Sequence, residues 1–138
     1  MKYLIYMSSA TELMNNEQLF ELLTVSRKNN TDRNLTGMLL YGEGAFVQVL
    51  EGEADILDAT YETIKADKRH KNIIQIISGN MEKRNFQNWS MGFKSVDKKM
   101  VKEFEDFIDV RNNGLLIEDQ THPAVIVLKT FASANNMV

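Results

Sequence analysis

An α+β fold of ferredoxin-like order is predicted for this chain by three observations. Five short runs rich in β-branched and aromatic residues alternate with two stretches of helical periodicity, in the order βαββαββ. A glycine-flanked turn, Gly42-Glu43-Gly44, joins two of those runs into a hairpin. The 138 residues, 43% hydrophobic and 25% charged, suit one compact domain with a substantial core. This order places two helices on one face of a mainly antiparallel sheet.

The elements follow in sequence. "KYLIYMS" (2–8) is the first strand, with Leu4 and Tyr6 on one face and Tyr3, Ile5 and Met7 on the other. "NNEQLFELLTVSRKNN" (15–30) is a helix that Asn15 or Asn16 can cap, with Leu19, Leu22, Leu23 and Ser26 at helical spacing. "LTGMLLY" (35–41) and "AFVQVLE" (45–51) are the hairpin strands. "EADILDATYETIKADKRH" (53–70) is a second helix, with Leu57, Tyr61 and Ile64 as its apolar stripe. "NIIQIISGNME" (72–82) and "WSMGFKSV" (89–96) are strands four and five. Residues 1–96 therefore form the predicted domain.

Residues 97–138 are predicted to extend it with helices that cover the open face of the sheet. In 97–110, Asp97 is a cap, and Met100, Phe104 and Phe107 belong to one apolar face. In 122–136, Pro123 suits a first helical turn, but the β-branched run leaves helix and strand both open. "NNG" (112–114) is a turn between them.

Composition excludes several function classes. The chain has no cysteine, so disulfide and thiol chemistry are out, and with two histidines a protein-built zinc site is not expected. A net charge of −3 argues against general binding to nucleic acid or anionic membrane. The apolar start is too short for a secretory signal, and no run approaches the ~20 residues of a membrane span. A soluble cytoplasmic protein is expected. Walker A, GxGxxG and HExxH patterns are missing, and Ser8 and Ser9 lack the setting of a catalytic triad.

Polar residues in apolar surroundings remain. Tyr6 lies on strand one and Gln48 on strand three, strands that are central neighbours in ferredoxin-like order. Ser26 and Asn30 share one helix face, and Trp89 and Met91 share one face of strand five. Singly, most of these fit plain packing or capping. Gln48 does not: an amide inside an apolar strand needs a specific partner, at a cost of about 1–3 kcal/mol if it has none.

"YLIYMS", "RKNNTDRNLTGMLLYGEGAFVQVLEG", "ADKRHKNI" and "RNFQNWSMGF" together resemble the BLUF domain, a blue-light sensor that binds flavin. The resemblance covers residues 1–96, and its specificity lies in the combination of LTGxLLY, FxQxLEG, DxRH and WxM at these intervals. It implies FAD as cofactor, with FMN or riboflavin as alternatives, and a photoreceptor rather than an enzyme. By matching position, Tyr6 is the photoactive tyrosine, Gln48 the switching glutamine, and Trp89 and Met91 the relay pair. Asn30 matches the asparagine that bonds the flavin ring's polar edge, Ser26 a small polar residue near the glutamine, and Asp67, Arg69 and His70 a polar segment near the ribityl and phosphate end; Phe46, Leu40 and Ile64 are also expected to bind the cofactor. The implied mechanism is electron and proton donation from Tyr6 and a rearrangement of the Gln48 amide, by rotation or tautomerisation. The signal then leaves through strand five and the C-terminal helices to a partner protein, a homo-oligomer or both.

Three other readings share parts of the pattern. An RNA-binding module of the RRM type has the same element order, but Gln48 stands where an aromatic should stack and the charge is acidic. A small ferredoxin-like enzyme of the acylphosphatase type needs an anion cradle, which "MSSATELMNN" lacks. A BLUF-like regulatory module without flavin is disfavoured by intact Tyr6, Asn30 and Gln48.

Overall fold

The computed structural model describes residues 1–42, 44–84, 86, 92–95, 110–111, 114–115, 122–123, 126–127 and 130. Its elements are β1 (Lys2–Ala10), α1 (Asn16–Asp32), β2 (Thr36–Gly42), β3 (Ala45–Gly52), α2 (Ala54–Lys65), β4 (His70–Asn80), β5 (Gly92–Ser95), β6 (Val110–Arg111) and β7 (Gly114–Leu115). The main sheet runs β4-β1-β3-β2-β5. β1 pairs antiparallel with both β3 and β4, and β2 with β3, whereas β5 joins β2 in parallel. This is the α+β, ferredoxin-like arrangement that the element order predicts.

Alternation along the central strands divides the interior in two. Leu4, Tyr6, Leu39, Tyr41, Phe46 and Leu50 face the helices, where they pack on Leu19 and Leu23 of α1 and on Leu57 and Tyr61 of α2. Tyr3, Ile5, Met38, Leu40, Val47 and Val49 form the core of the opposite face, joined by Phe86 and, at its margin, Met81 and Val127. β2 is buried along its whole length because it carries both cores. Two glycines are required by geometry. A Cβ on Gly37 would lie 1.9 Å from the Val49 carbonyl oxygen, and Gly44 turns the hairpin at φ +81°.

Helix ends depart from expectation in instructive ways. Asn15 caps α1: its side chain accepts from the Gln18 amide at 2.8 Å, and Gln18 returns the bond to the Asn15 amide at 3.0 Å. At the other end Asn34 takes the left-handed position, at φ 54°, and the Leu35 amide donates back to the Asn30 carbonyl at 2.8 Å. α2 stops at Lys65, five residues short of the predicted helix. Asp67 accepts from the Arg69 backbone at 2.9 Å, a local turn that competes with further helix.

Of the predicted helix over 97–110, only Val110 is among the described residues, and it belongs to a strand: β6 pairs with β7 across the predicted "NNG" turn. Trp89 and Met91 lie outside the described residues. Between 122 and 130 the described residues are helical. The Ile126 amide donates to the His122 carbonyl at 3.1 Å, which puts Pro123 in the first turn, where its missing N–H costs nothing. No described helix is long and apolar enough to cross a membrane.

Candidate functional site

The two helices do not close over the centre of the sheet. They leave an open cleft between them. Its floor is Tyr6 of β1, Phe46 and Gln48 of β3, and Leu39 of β2. One wall is α1, with Leu22, Ser26, Asn29, Asn30 and Arg33. The other is α2 and the turn after it, with Thr60, Ile64, Asp67, Arg69 and His70.

Tyr6 and Gln48 are direct cross-strand partners in the β1–β3 register, so alternation points both into the cleft. The Tyr6 hydroxyl donates to Gln48 Oε1. Both side chains are nearly removed from solvent, at 4% and 6% exposure, which answers why an amide is kept here: it accepts a buried phenol's proton. Burial pushes the Tyr6 phenol well above the ordinary tyrosine range, and the neighbouring Tyr61 and Asp67 push in the same direction. Tyr6 is therefore neutral and acts as donor. Its ring meets Tyr61 at 5.6 Å between centroids and His70 at 6.1 Å.

His70 ties three elements together. Its Nε2 lies 2.6 Å from the Ile64 carbonyl, which can only accept, so Nε2 carries a proton. Its Nδ1 lies 2.8 Å from the Ser8 hydroxyl oxygen. Asp67 and Arg69 form a forked ion pair, with Arg69 Nε 3.0 Å from both carboxylate oxygens. That hydrogen bonding holds the Asp67 carboxyl below its usual range.

Of the residues expected at a flavin site, Tyr6, Ser26, Asn30, Phe46, Gln48, Ile64, Asp67, Arg69 and His70 line this cleft. Leu40 does not. It is fully buried on the other face, paired with Val47, and Leu39 occupies the floor beside Gln48. Sequence reasoning also missed Asn29, Arg33 and Ser8. Asn29 and Arg33 carry the spacing signal of the face that holds Ser26 and Asn30. The fit to a flavin is good in chemical kind. The cleft has an apolar floor at Leu39 and Phe46, amides at Gln48, Asn29 and Asn30 for a polar ring edge, and a cation at Arg69.

Comparison with known proteins agrees. A family model described as sensors of blue-light using FAD matches residues 1–92. Photoactivated adenylate cyclase subunit alpha of Euglena gracilis is 28% identical over 135 residues, which are 96% of this chain and 13% of that protein. The chain thus spans only a small part of the curated relatives it matches. Among solved structures, a bacterial light-regulated adenylyl cyclase superposes with a TM-score of 0.69 at 29% identity, over 99% of this chain and 35% of that one. BlrB, a BLUF protein solved in its dark state, superposes with a TM-score of 0.69 at 25% identity, over 96% of both chains.

Proposed function

The chain belongs to the BLUF family, sensors of blue light that bind flavin, and from that membership we propose that Tyr6 and Gln48 are its light-driven hydrogen-bond switch. The observation that carries this reading is the bond from the buried Tyr6 phenol to Gln48 Oε1 in the floor of the cleft. Asn29, Asn30 and Arg33 orient the ring edge at one end. Asp67, Arg69 and His70 hold the ribityl and phosphate end, and Phe46, Leu39 and Ile64 exclude water. FAD is the form proposed for the bound flavin.

When bound, a flavin absorbs blue light and becomes a strong electron acceptor. Tyr6 would give its electron and its hydroxyl proton to that acceptor, and the Gln48 amide would then lose the donor that holds its oxygen. A carboxamide has an acceptor end and a donor end, so Gln48 can settle with the two exchanged or tautomerised once Tyr6 regains electron and proton. The rearranged bonds persist until thermal reversal, which makes the site a two-state element.

The route outward follows one rung of the sheet. Gln75, Tyr6, Gln48, Leu39 and Phe93 are successive register partners across β4, β1, β3, β2 and β5. A change at Gln48 thus has one strand, β2, to cross to reach β5. From there the proposed path runs through Trp89, Met91 and the extension over 97–138 to a partner protein or a second copy.

The test is a light-minus-dark absorption spectrum. Wild-type protein should give a small, reversible red shift. Tyr6→Phe should retain flavin and lose the shift, and a normal photocycle in that variant would refute the mechanism. Asn30→Ala should instead weaken flavin binding.

A further inference from the structure

Tyr61 stands against Tyr6 without lining the cleft. It lies on α2 one turn after Leu57, and with Leu57 and Thr60 it is buried. Thr60 and Ile64, before and after it on the helix, line the cleft, and Tyr61 does not. Its ring reaches the Tyr6 ring at 5.6 Å between centroids, tilted by 38°. The His70 ring meets Tyr6 edge-on at 6.1 Å and 68°. Aromatic pairs attract at separations and tilts of this kind.

The backbone alone holds Tyr6 unevenly. β1 pairs regularly with β3 through Tyr6 and Gln48. Its pairing with β4 slips on both sides of Tyr6 and Met7. Between Ile5, opposite Ile77, and Tyr6, opposite Gln75, one residue of β4 is skipped, and the register shifts again between Met7 and Ser9. A slipped ladder is locally disrupted and re-aims the side chains on it. The even ladder on the β3 side directs Tyr6 toward Gln48, and the neighbouring rings supply the hold on the phenol itself.

The Tyr61 hydroxyl has no comparable task. It has no hydrogen-bond partner among the described residues, whereas the Tyr6 hydroxyl donates to Gln48 Oε1. Burial pushes the Tyr61 phenol above the ordinary tyrosine range, against the pull of the Lys65 ammonium 5.0 Å from the ring centre. Lys65 is itself paired with Glu62 at 2.6 Å. Two phenol rings therefore meet, and only Tyr6 has an acceptor placed for its proton.

We infer that Tyr61 is a positioning residue of the switch: its ring holds the Tyr6 ring so that the Tyr6 hydroxyl stays on Gln48, and its own hydroxyl takes no part. The inference rests on the reading of Tyr6 and Gln48 as the switch.

Two variants of the full-length protein, Tyr61→Phe and Tyr61→Leu, test this with two measurements. The first is the hydroxyl-proton resonance of Tyr6 in flavin-free protein, assigned by its loss in Tyr6→Phe. The second is the yield of the light-induced red shift in flavin-loaded protein. Tyr61→Phe should match the wild type within about twofold in both, because it keeps the ring. Tyr61→Leu should speed exchange of the Tyr6 hydroxyl proton with water about fivefold and lower the yield by a similar factor, the worth of one aromatic pair. Flavin affinity should stay within about twofold of wild type in both variants, since Tyr61 does not line the cleft. Tyr61→Met carries the same expectations as Tyr61→Leu and replaces it if that chain does not fold. A slow-exchanging Tyr6 proton and a full yield in Tyr61→Leu would overturn the inference. So would a lowered yield in Tyr61→Phe, which would give the hydroxyl a part, or a loss of flavin in either variant. A normal photocycle in Tyr6→Phe would instead remove the switch reading, and the resonance in flavin-free protein would still report whether Tyr61 holds Tyr6.

Discussion

Tyr6 is asked to keep its proton in the dark and to release it in the light, and burial secures the first requirement. The folded chain holds the phenol proton more tightly than the unfolded chain does. The contribution to stability is therefore full below about pH 10 and is lost as the pH rises further, because the unfolded phenol ionises first. Phenolate absorbance of the wild type and of Tyr6→Phe should accordingly coincide up to about pH 11. A difference of one phenolate near pH 10 would mean that the Tyr6–Gln48 bond is not protected. Gln48 was legible as an anomaly because β3 alternates cleanly around it. Its partnership with Tyr6 followed from strand order. Leu40 was misassigned because "GMLLY" is apolar on both faces, so composition offered no polar residue from which to count the alternation. The register with β3 sets the phase instead: Leu39 lies opposite Gln48 and Leu40 opposite Val47.

At the scale of elements, the hairpin of β2 and β3 matters most, since it carries Gln48 and both cores. Gly37 lies opposite Leu50, and its α-carbon lies so close to the Val49 carbonyl that even one methyl group does not fit. Gly37→Ala should destabilise the protein by roughly 3 kcal/mol or more, because the obstacle is backbone rather than a movable side chain. Urea unfolding measures this, and a variant within about 0.5 kcal/mol of wild type would contradict it. The existence of β1, α1, β2, β3, α2 and β4 was readable from periodicity. Their ends were less so. α2 is cut short by the Asp67–Arg69 turn, a side-chain competition that hydrophobic spacing does not register. The helical state of the described residues between 122 and 130 was undecidable from "PAVIVLK", where β-branched residues lower helix propensity without forbidding a helix.

In the whole molecule, the two faces of one sheet do different work. The helix face holds the cleft. The other face is sealed partly by the connection after β4 and partly by the C-terminal segment, where Val127 joins the core and the His122 ring meets Tyr3 edge-on at 4.6 Å. A buried carboxylate anchors that connection. Glu51 has no exposed surface and accepts from the Thr36 hydroxyl at 3.0 Å and the Phe86 amide at 2.9 Å. Arg84 completes the cluster through the Thr36 hydroxyl at 2.9 Å and the carbonyls of Glu51 at 3.1 Å and Asn34 at 2.7 Å. Arg84→Met should cost about 2 kcal/mol and lower Tm by several degrees. It should leave flavin affinity intact, because these groups do not line the cleft. A loss of flavin without a loss of stability would show that the faces are not independent.

The Glu51 cluster also decides where this sensor can be spliced. A chimera that joins an output module directly after β4 would strip away Arg84 and Phe86. Glu51 on β3, one strand away from Tyr6, would then lose the Phe86 amide, and its carbonyl and the Thr36 hydroxyl would lose Arg84. A junction placed beyond Ser95 keeps the Glu51 cluster and β5 together, so that a grafted module would inherit its connection to the sheet through β5.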